Sequence, residues 1–377
     1  MLQIDHVYEF FYKTLFKDFT VFTLPNGVVS TNEKLTNNDI HIFNYESTNN
    51  KIFLWDQEPL THIVPTYLDL YYTRHPAKLP AAIVTSEKSP YLNSITEQYN
   101  TNNLYYFFHG YAALDWFRGF QALNCNKSVV RDYQHDYISF NRLVTNDRSY
   151  RSYFVSQLFK NNLLFNGLVG FGATDECHWT TELDNPYTKL SAHAKGEIQH
   201  LLPLMTYPLV VDNNDVPGWA SADIPRMIED SFWHIVTETV FYYDKLHLTE
   251  KIFKPIAMKQ PFMLLAAPGN LAYLREYGFQ TFYNIIDESY DMMQDPDQRV
   301  DAVVKNIQWY CGLSAKEKQD VIRACEPIIE HNFKHFYGAF KHVITQELLG
   351  NARGLFKKIG YDDSNIAYAD IHRGLTN

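Results

Sequence analysis

The chain is short of the features that mark several common protein classes. Its 377 residues include only four cysteines, Cys125, Cys177, Cys311 and Cys325, far apart and without a CxxC pair. That pattern excludes a disulfide-rich scaffold or a zinc ribbon and reads as free thiols in a reducing compartment. No run approaches the roughly 20 apolar residues needed to span a bilayer. The opening residues, Met1-Leu2-Gln3-Ile4-Asp5-His6, lack the basic stretch and apolar core of a secretory leader. We therefore expect a cytoplasmic protein without membrane insertion. Positive charge is also scarce: 33 Lys and Arg against 43 Asp and Glu leave a formal net charge of −10. Such a balance excludes a broad electrostatic grip on nucleic acid or anionic membrane and leaves room only for a local basic cleft. Also missing are a GxGxxG dinucleotide loop, a Walker A loop, a GxSxG elbow and an HExxH zinc motif.

What is present fits two ordinary globular domains. Hydrophobic residues make up 46% of the chain and charged ones 20%, and the length allows two cores. The 27 Tyr and 26 Phe fill cores first, and aromatic faces also serve as platforms for sugars and bases. Short apolar runs between polar turns predict strands at 19–24, 40–44, 52–55, 81–84 and 104–108, with an amphipathic helix at 7–16. The asparagine-rich stretches 31–38 and 93–103 read as loops. Helical spacing over 150–164 opens a second set of elements. It continues with strands at 209–211, 232–240, 262–266 and 282–286 and a helix at 270–277 stopped by Gly278. Long helices at 299–310, 315–334 and 336–358 close the chain, one of them expected to cross back onto the first domain. Gly167-Leu168-Val169-Gly170-Phe171-Gly172 follows a helix and reads as a turn.

The chain is organised around Leu248-Thr249-Glu250-Lys251-Ile252-Phe253-Lys254-Pro255-Ile256. The apolar strand at 232–240 precedes it, and a second apolar strand follows from Pro261-Phe262. Strand, helix, strand in this order is a parallel crossover unit. Thr249 suits the helix cap, and Ile252, Phe253 and Ile256 share one face that packs on a sheet. Pro255, six residues past that cap, predicts a kink or a later helix start. Glu250 and Lys251 then fall at a helix N-terminus, where free N–H groups and positive partial charge favour phosphate. On periodicity alone, an ordinary αβ element with a solvated Glu and Lys explains the same residues.

Thr249-Glu250-Lys251-Ile252-Phe253 with Pro261-Phe262 resembles the T-E-K signature of fucosyltransferase-like glycosyltransferases and their phage-encoded relatives. The resemblance implies a GT-B fold, two Rossmann-like α/β domains facing across a cleft. It also implies that Glu250 binds the ribose and Lys251 the diphosphate of a UDP- or GDP-sugar donor. The expected domains are residues 1–136 on the acceptor side, 137–340 for the nucleotide sugar, and a C-terminal helix and tail at 341–377.

Open parallel sheets bind ligands beyond the carboxyl ends of their strands, and polar residues follow several apolar runs. In Lys51-Ile52-Phe53-Leu54-Trp55-Asp56-Gln57-Glu58-Pro59 a strand delivers two acids into a turn. Inverting glycosyl transfer needs one carboxylate to take the acceptor proton. Glu58-Pro59 resembles the Glu-Ser-Pro motif that supplies this base, although the serine is missing. The base assignment stays open between Glu58 and Asp56, with His109, at the end of Phe107-Phe108, as a third candidate. Asp56-Gln57-Glu58 and Asp212-Asn213-Asn214-Asp215 also admit a D-x-D metal reading with Mg²⁺ or Mn²⁺. Arg142, Arg148 and Arg151 lie where arginine forks can neutralise a diphosphate, and their N-R…R-x-x-R spacing resembles the phage-encoded enzymes. Glu238, at a strand end, is a candidate for donor hydroxyls, and Ser86-Glu87-Lys88-Ser89 is a similar strand end.

Together these readings predict a hexosyl- or pentosyltransferase that works with inversion, with cations and helix N-termini rather than a required metal stabilising the leaving group. The phage relatives imply an acceptor hydroxyl either on hydroxymethylated bases in phage DNA, which we favour, or on a cell-surface glycan; a phage enzyme would work in the host cytoplasm. A non-catalytic nucleotide-sugar-binding protein with a degenerate fold is the rival from another class.

Overall fold

The computed structural model describes residues 4–23, 41–43, 50–60, 65, 68–69, 80–171, 178–205 and 224–376. The expected strand at 209–211, the pair Asp212 and Asp215, and the loop at 31–38 lie outside the described residues. The chain divides into two compact units. The first comprises Met1–Arg118, Lys245–His247 and Ala339–Asn377, the second Gly119–Asp244 and Leu248–Gly338.

The first unit is built on β1 (Thr20–Thr23), β2 (His41–Phe43), β3 (Lys51–Trp55), β4 (Ala82–Thr85) and β5 (Asn102–Tyr105), in the order β2-β1-β3-β4-β5. Among the described residues of this sheet only β1 and β2 pair antiparallel; the other pairings are parallel. In β4 every residue is buried, and in β3 all but Lys51, as expected of strands covered on both faces. Residues 93–98, read as loop, belong instead to a helix, Pro90–Gln98. Ser89 Oγ caps it by accepting from Leu92 N at 3.1 Å, and Pro90 suits the first turn. Burial of Leu92 and Ile95 outweighs the weak helix preference of the asparagine. The N-terminal helix Ile4–Phe10 runs on as a π-helical turn, Phe11–Leu15, not as one regular amphipathic helix. Phe16 N donates to Phe11 O, five residues back, and the wider turn buries Phe11, Leu15 and Phe16 together.

The second unit carries an all-parallel sheet of β6 (His135–Asn141), β7 (Gly167–Phe171), β8 (Ser231–Thr237) and β9 (Phe262–Leu265), ordered β7-β6-β8-β9. The glycine-rich run is therefore a strand for most of its length rather than a turn. Tyr137 pairs with Gly167 across β6 and β7, and the tyrosine ring lies where a Cβ on Gly167 would project. The helix after β6 covers Tyr150–Lys160 and stops short of 164, where Asn162 takes a positive φ of 56°. The stretch 282–286 is not a strand. Glu288 accepts from Phe282 N at 2.6 Å and Thr281 Oγ1 at 2.8 Å, and Ile285 N and Ile286 N turn back onto Phe282 O. Its apolar side chains still reach the core: Phe282 meets Trp233 and Phe262 edge-on. No helix among the described residues is long and apolar enough to cross a membrane.

Candidate functional site

In the second unit the crossover from β8 to β9 runs through the helix Glu250–Ala257, which starts directly after Thr249. Pro255 does not delay that start; it sits in the last turn, where one lost backbone bond costs little cooperativity. Ile252, Phe253 and Ile256 are buried, with Phe253 stacked on Phe336, so Glu250 and Lys251 are held at the helix entrance.

Glu238, immediately after β8, is fully buried (0% exposed). Its Oε1 accepts from Thr249 N at 3.1 Å; its Oε2 accepts from Thr249 Oγ1 at 2.6 Å and from Thr239 N at 3.2 Å. Lys251 Nζ donates to Thr249 Oγ1 at 3.1 Å and Thr239 Oγ1 at 3.2 Å, with Glu250 Oε1 at 3.4 Å. The Lys251 side chain keeps 35% of its surface exposed. Glu238, Thr249, Glu250 and Lys251, singled out in the sequence, thus form one cluster. Thr239 completes it, and only its place beside a strand-end acid signalled it.

The three arginines have different surroundings. Arg142 is exposed and Arg148 half-buried, on the loop between β6 and the helix Tyr150–Lys160. There Glu182 accepts from Asn146 N at 2.8 Å, steadying a residue with φ of 54°. Arg151 is 3% exposed and donates to the carbonyls of Leu143 (2.9 Å), Thr237 (2.6 Å) and Glu238 (3.3 Å). Its fork is spent on joining the ends of β6 and β8. Tyr150 helps, its hydroxyl donating to Glu238 O at 2.7 Å and its ring stacking on Phe241. Arg299, which sequence reasoning passed over, donates to Phe241 O at 2.7 Å and to Met293 O. Burial pulls its guanidinium down to about 10, against neighbouring tyrosines and acids that raise it. Its partners are backbone carbonyls, which leave no trace in a residue pattern.

In the first unit the turn after β3 is fixed by a side chain of β3 itself and by others from the residues that follow β4 and β5. Ser86 Oγ donates to Asp56 O at 2.6 Å, His109 Nε2 to Gln57 O at 3.0 Å, and Trp55 Nε1 to Glu58 O at 3.0 Å. Glu87 Oε2 accepts from Leu60 N at 2.7 Å, and Lys245 Nζ donates to Leu60 O and pairs with Glu87 at 3.0 Å. Asp56 is 5% exposed, and its Oδ2 accepts from the hydroxyls of Tyr8, at 2.9 Å, and Tyr106. Burial pushes its carboxyl above the ordinary range, and the two tyrosine hydrogen bonds oppose that shift. Glu58 is half-buried, and its backbone oxygen takes the Trp55 indole hydrogen bond. His109 is buried edge-on to His247, ring centroids 5.1 Å apart. Asp56 and Glu58 therefore share one turn, whose backbone His109 holds from the helix Phe108–Trp116, and Asp56 is bonded to the two tyrosines. Among the described residues no three His, Cys, Asp or Glu side chains gather as a metal site.

Fold and site together define an α/β protein of two units, each with polar clusters at the carboxyl edge of a largely parallel sheet. No family model and no curated protein matches the chain. A solved structure described as "Crystal structure of GtfA/B complex" is similar at 8% identity with a TM-score of 0.34. The match covers 86% of this chain and 53% of that one, so this chain spans about half the length of that neighbour. A likeness of this size assigns no family.

Proposed function

We propose that the chain is a glycosyltransferase that moves a sugar from a nucleoside-diphosphate donor to an acceptor hydroxyl. The observation that carries this reading is the placement of Lys251. An ammonium held by two threonine hydroxyls stands at a helix entrance on the carboxyl edge of a parallel sheet, chemistry suited to a diphosphate. In this reading the second unit takes the donor, with Lys251, Arg142 and Arg148 balancing phosphate charge and Glu250 on the ribose. Arg151, committed to carbonyls, shapes the loop that bears the other two. The first unit supplies the base. Glu58 suits that role better than Asp56, because it is half-buried where Asp56 is 5% exposed and bonded to two tyrosines, on a turn whose backbone is fixed from several sides, and fixed geometry is what a general base requires. The acceptor hydroxyl would lose its proton to Glu58 as its oxygen attacks the anomeric carbon, and the sugar–diphosphate bond would break with inversion. The donor base and the acceptor, hydroxymethylated DNA or a glycan, rest on the sequence resemblance alone.

The test is calorimetric binding of UDP, GDP and their sugars, with and without Mn²⁺, followed by transfer of labelled sugar to hydroxymethylated DNA and to glycans. We expect Lys251→Ala to weaken nucleotide binding about tenfold or more. Glu58→Gln should spare binding and lower transfer by at least a hundredfold. Unchanged nucleotide affinity in Lys251→Ala would sink the donor assignment. Binding without transfer in the unmodified protein would favour the non-catalytic alternative.

A further inference from the structure

Resting on this donor-site reading, the geometry points to a new role for Glu238: we infer that it is a positioning residue that aims Lys251 at an anion through the two threonines, without touching the ligand. The argument is one of proton direction. A carboxylate only accepts, so at 2.6 Å from Glu238 Oε2 the Thr249 hydroxyl must spend its hydrogen on Glu238. What Thr249 Oγ1 then offers on its other side is lone pairs. Two donors meet them there, Lys251 N at 3.4 Å and Lys251 Nζ at 3.1 Å. Thr239 is organised by the same carboxylate, its N–H donating to Oε2 and its own hydroxyl accepting from Lys251 Nζ. One buried acid thus sets the direction of the Thr249 hydroxyl and holds the backbone of Thr239, the two threonines that grip the ammonium. The grip holds two of the ammonium's hydrogens on threonine oxygens, and the third meets Glu250 Oε1 at 3.4 Å, the longest of the three contacts and the one a ligand anion would displace on the 35% exposed side chain.

The same geometry shows why an amide cannot replace the acid. Three donors converge on Glu238: Thr249 N on one oxygen, Thr249 Oγ1 and Thr239 N on the other. A glutamine placed either way round sets its own N–H₂ against a backbone N–H. With the amide nitrogen at Oε2 it also turns the Thr249 hydroxyl round, so that a hydrogen faces Lys251. Loss of the Glu238 charge therefore frees Lys251 from its fixed position.

The experiment uses the full chain with inorganic pyrophosphate and UDP as probes. Binding is measured by calorimetry alongside the ¹³Cε NMR signal of Lys251 in protein made with ¹³C-labelled lysine, assigned by its loss in Lys251→Ala. Glu238→Gln and Thr249→Val should each weaken pyrophosphate and UDP about tenfold and shift the Lys251 resonance. Thr249→Ser, which keeps the hydroxyl, should restore both readings to within about twofold of the unmodified protein. The serine–valine pair keeps the test decisive if Glu238→Gln fails to fold, since both replacements retain the Glu238 carboxylate. Thr249→Val binding as the unmodified protein does, while Lys251→Ala abolishes binding, would overturn the positioning role and leave the donor site standing. Absence of pyrophosphate and UDP binding in the unmodified protein would overturn the donor site and this role with it.

Discussion

His234, in the middle of β8, shows how far a single side chain can be read. Its Nδ1 lies 3.0 Å from Gln260 Oε1, while Gln260 Nε2 donates to Ile228 O and Ser231 O. The glutamine oxygen can only accept, so His234 carries its proton on Nδ1. Burial, with Lys254 nearby, lowers its pKa from 6.5 to about 3. The native state thus refuses a proton that the unfolded chain accepts below pH 6.5. Stability from this group is complete above that pH and falls as pH drops toward 3, by about 1.4 kcal/mol per unit. We expect His234→Gln to remove that share of the slope between pH 6 and 4 in urea titrations. An unaltered slope would show that His234 does not titrate as its burial dictates. Other residues differ in how openly they announce themselves. Thr249 and Lys251 could be singled out because a cap residue and an apolar helical face bracket them. Tyr8 and Tyr106 could not, because their partner Asp56 is 48 and 50 positions away and nothing local marks the pairing.

Among the elements, the crossover from β8 to β9 was legible because two apolar runs flank a helix with a single buried face, and few folds accommodate that order other than in parallel. Elements whose character depends on distant side chains were not. The glycine-rich run reads as a turn because it follows a helix, yet it pairs as a strand, with Tyr137 covering the position where glycine has no side chain to pack. Its ring lies 2.5 Å from the site of a Gly167 Cβ, and its hydroxyl donates to Leu163 O at 2.9 Å, so it has little freedom to move away. Gly167→Ala should therefore lower stability by about 1–3 kcal/mol, read as a fall in the urea midpoint with unchanged slope. A midpoint equal to that of the unmodified chain would mean that β7 is not held against Tyr137 in this way. The stretch 282–286 erred in the opposite sense. Its apolar residues suit a strand, but Glu288 captures the backbone at Phe282 and bends it, and those residues are buried in a turn instead.

At the scale of the molecule, the first unit is completed by the end of the chain. The helix Phe340–Ile359 places Phe356 against Phe16 and Phe19, with centroids 5.7 and 5.8 Å apart, and Phe340 edge-on to Phe107. Asn351 Nδ2 donates to Tyr105 O at 2.8 Å, at the end of β5, and the Tyr111 and Thr345 hydroxyls meet at 2.9 Å. A Cβ on Gly110 would come within 3.0 Å of the Phe340 ring, so the helix Phe108–Trp116, which carries Gly110, fits closely against Phe340–Ile359. These contacts join residues more than 200 positions apart, which is why periodicity could place the last helices in sequence but could not say which residues they cover. Each large apolar side chain uncovered by their loss costs about 1.5–3 kcal/mol, and several are uncovered at once, against a total stability of about 5–15 kcal/mol for a domain. A chain ending at Gly338 should therefore lose hydrogen-exchange protection throughout β3, β4 and β5. The amides of β6, β8 and β9, whose unit lacks no residue in that chain, should exchange as slowly as before. Retained protection in β3 to β5 would mean that the first sheet is stable on its own residues, with the C-terminal helices only resting upon it.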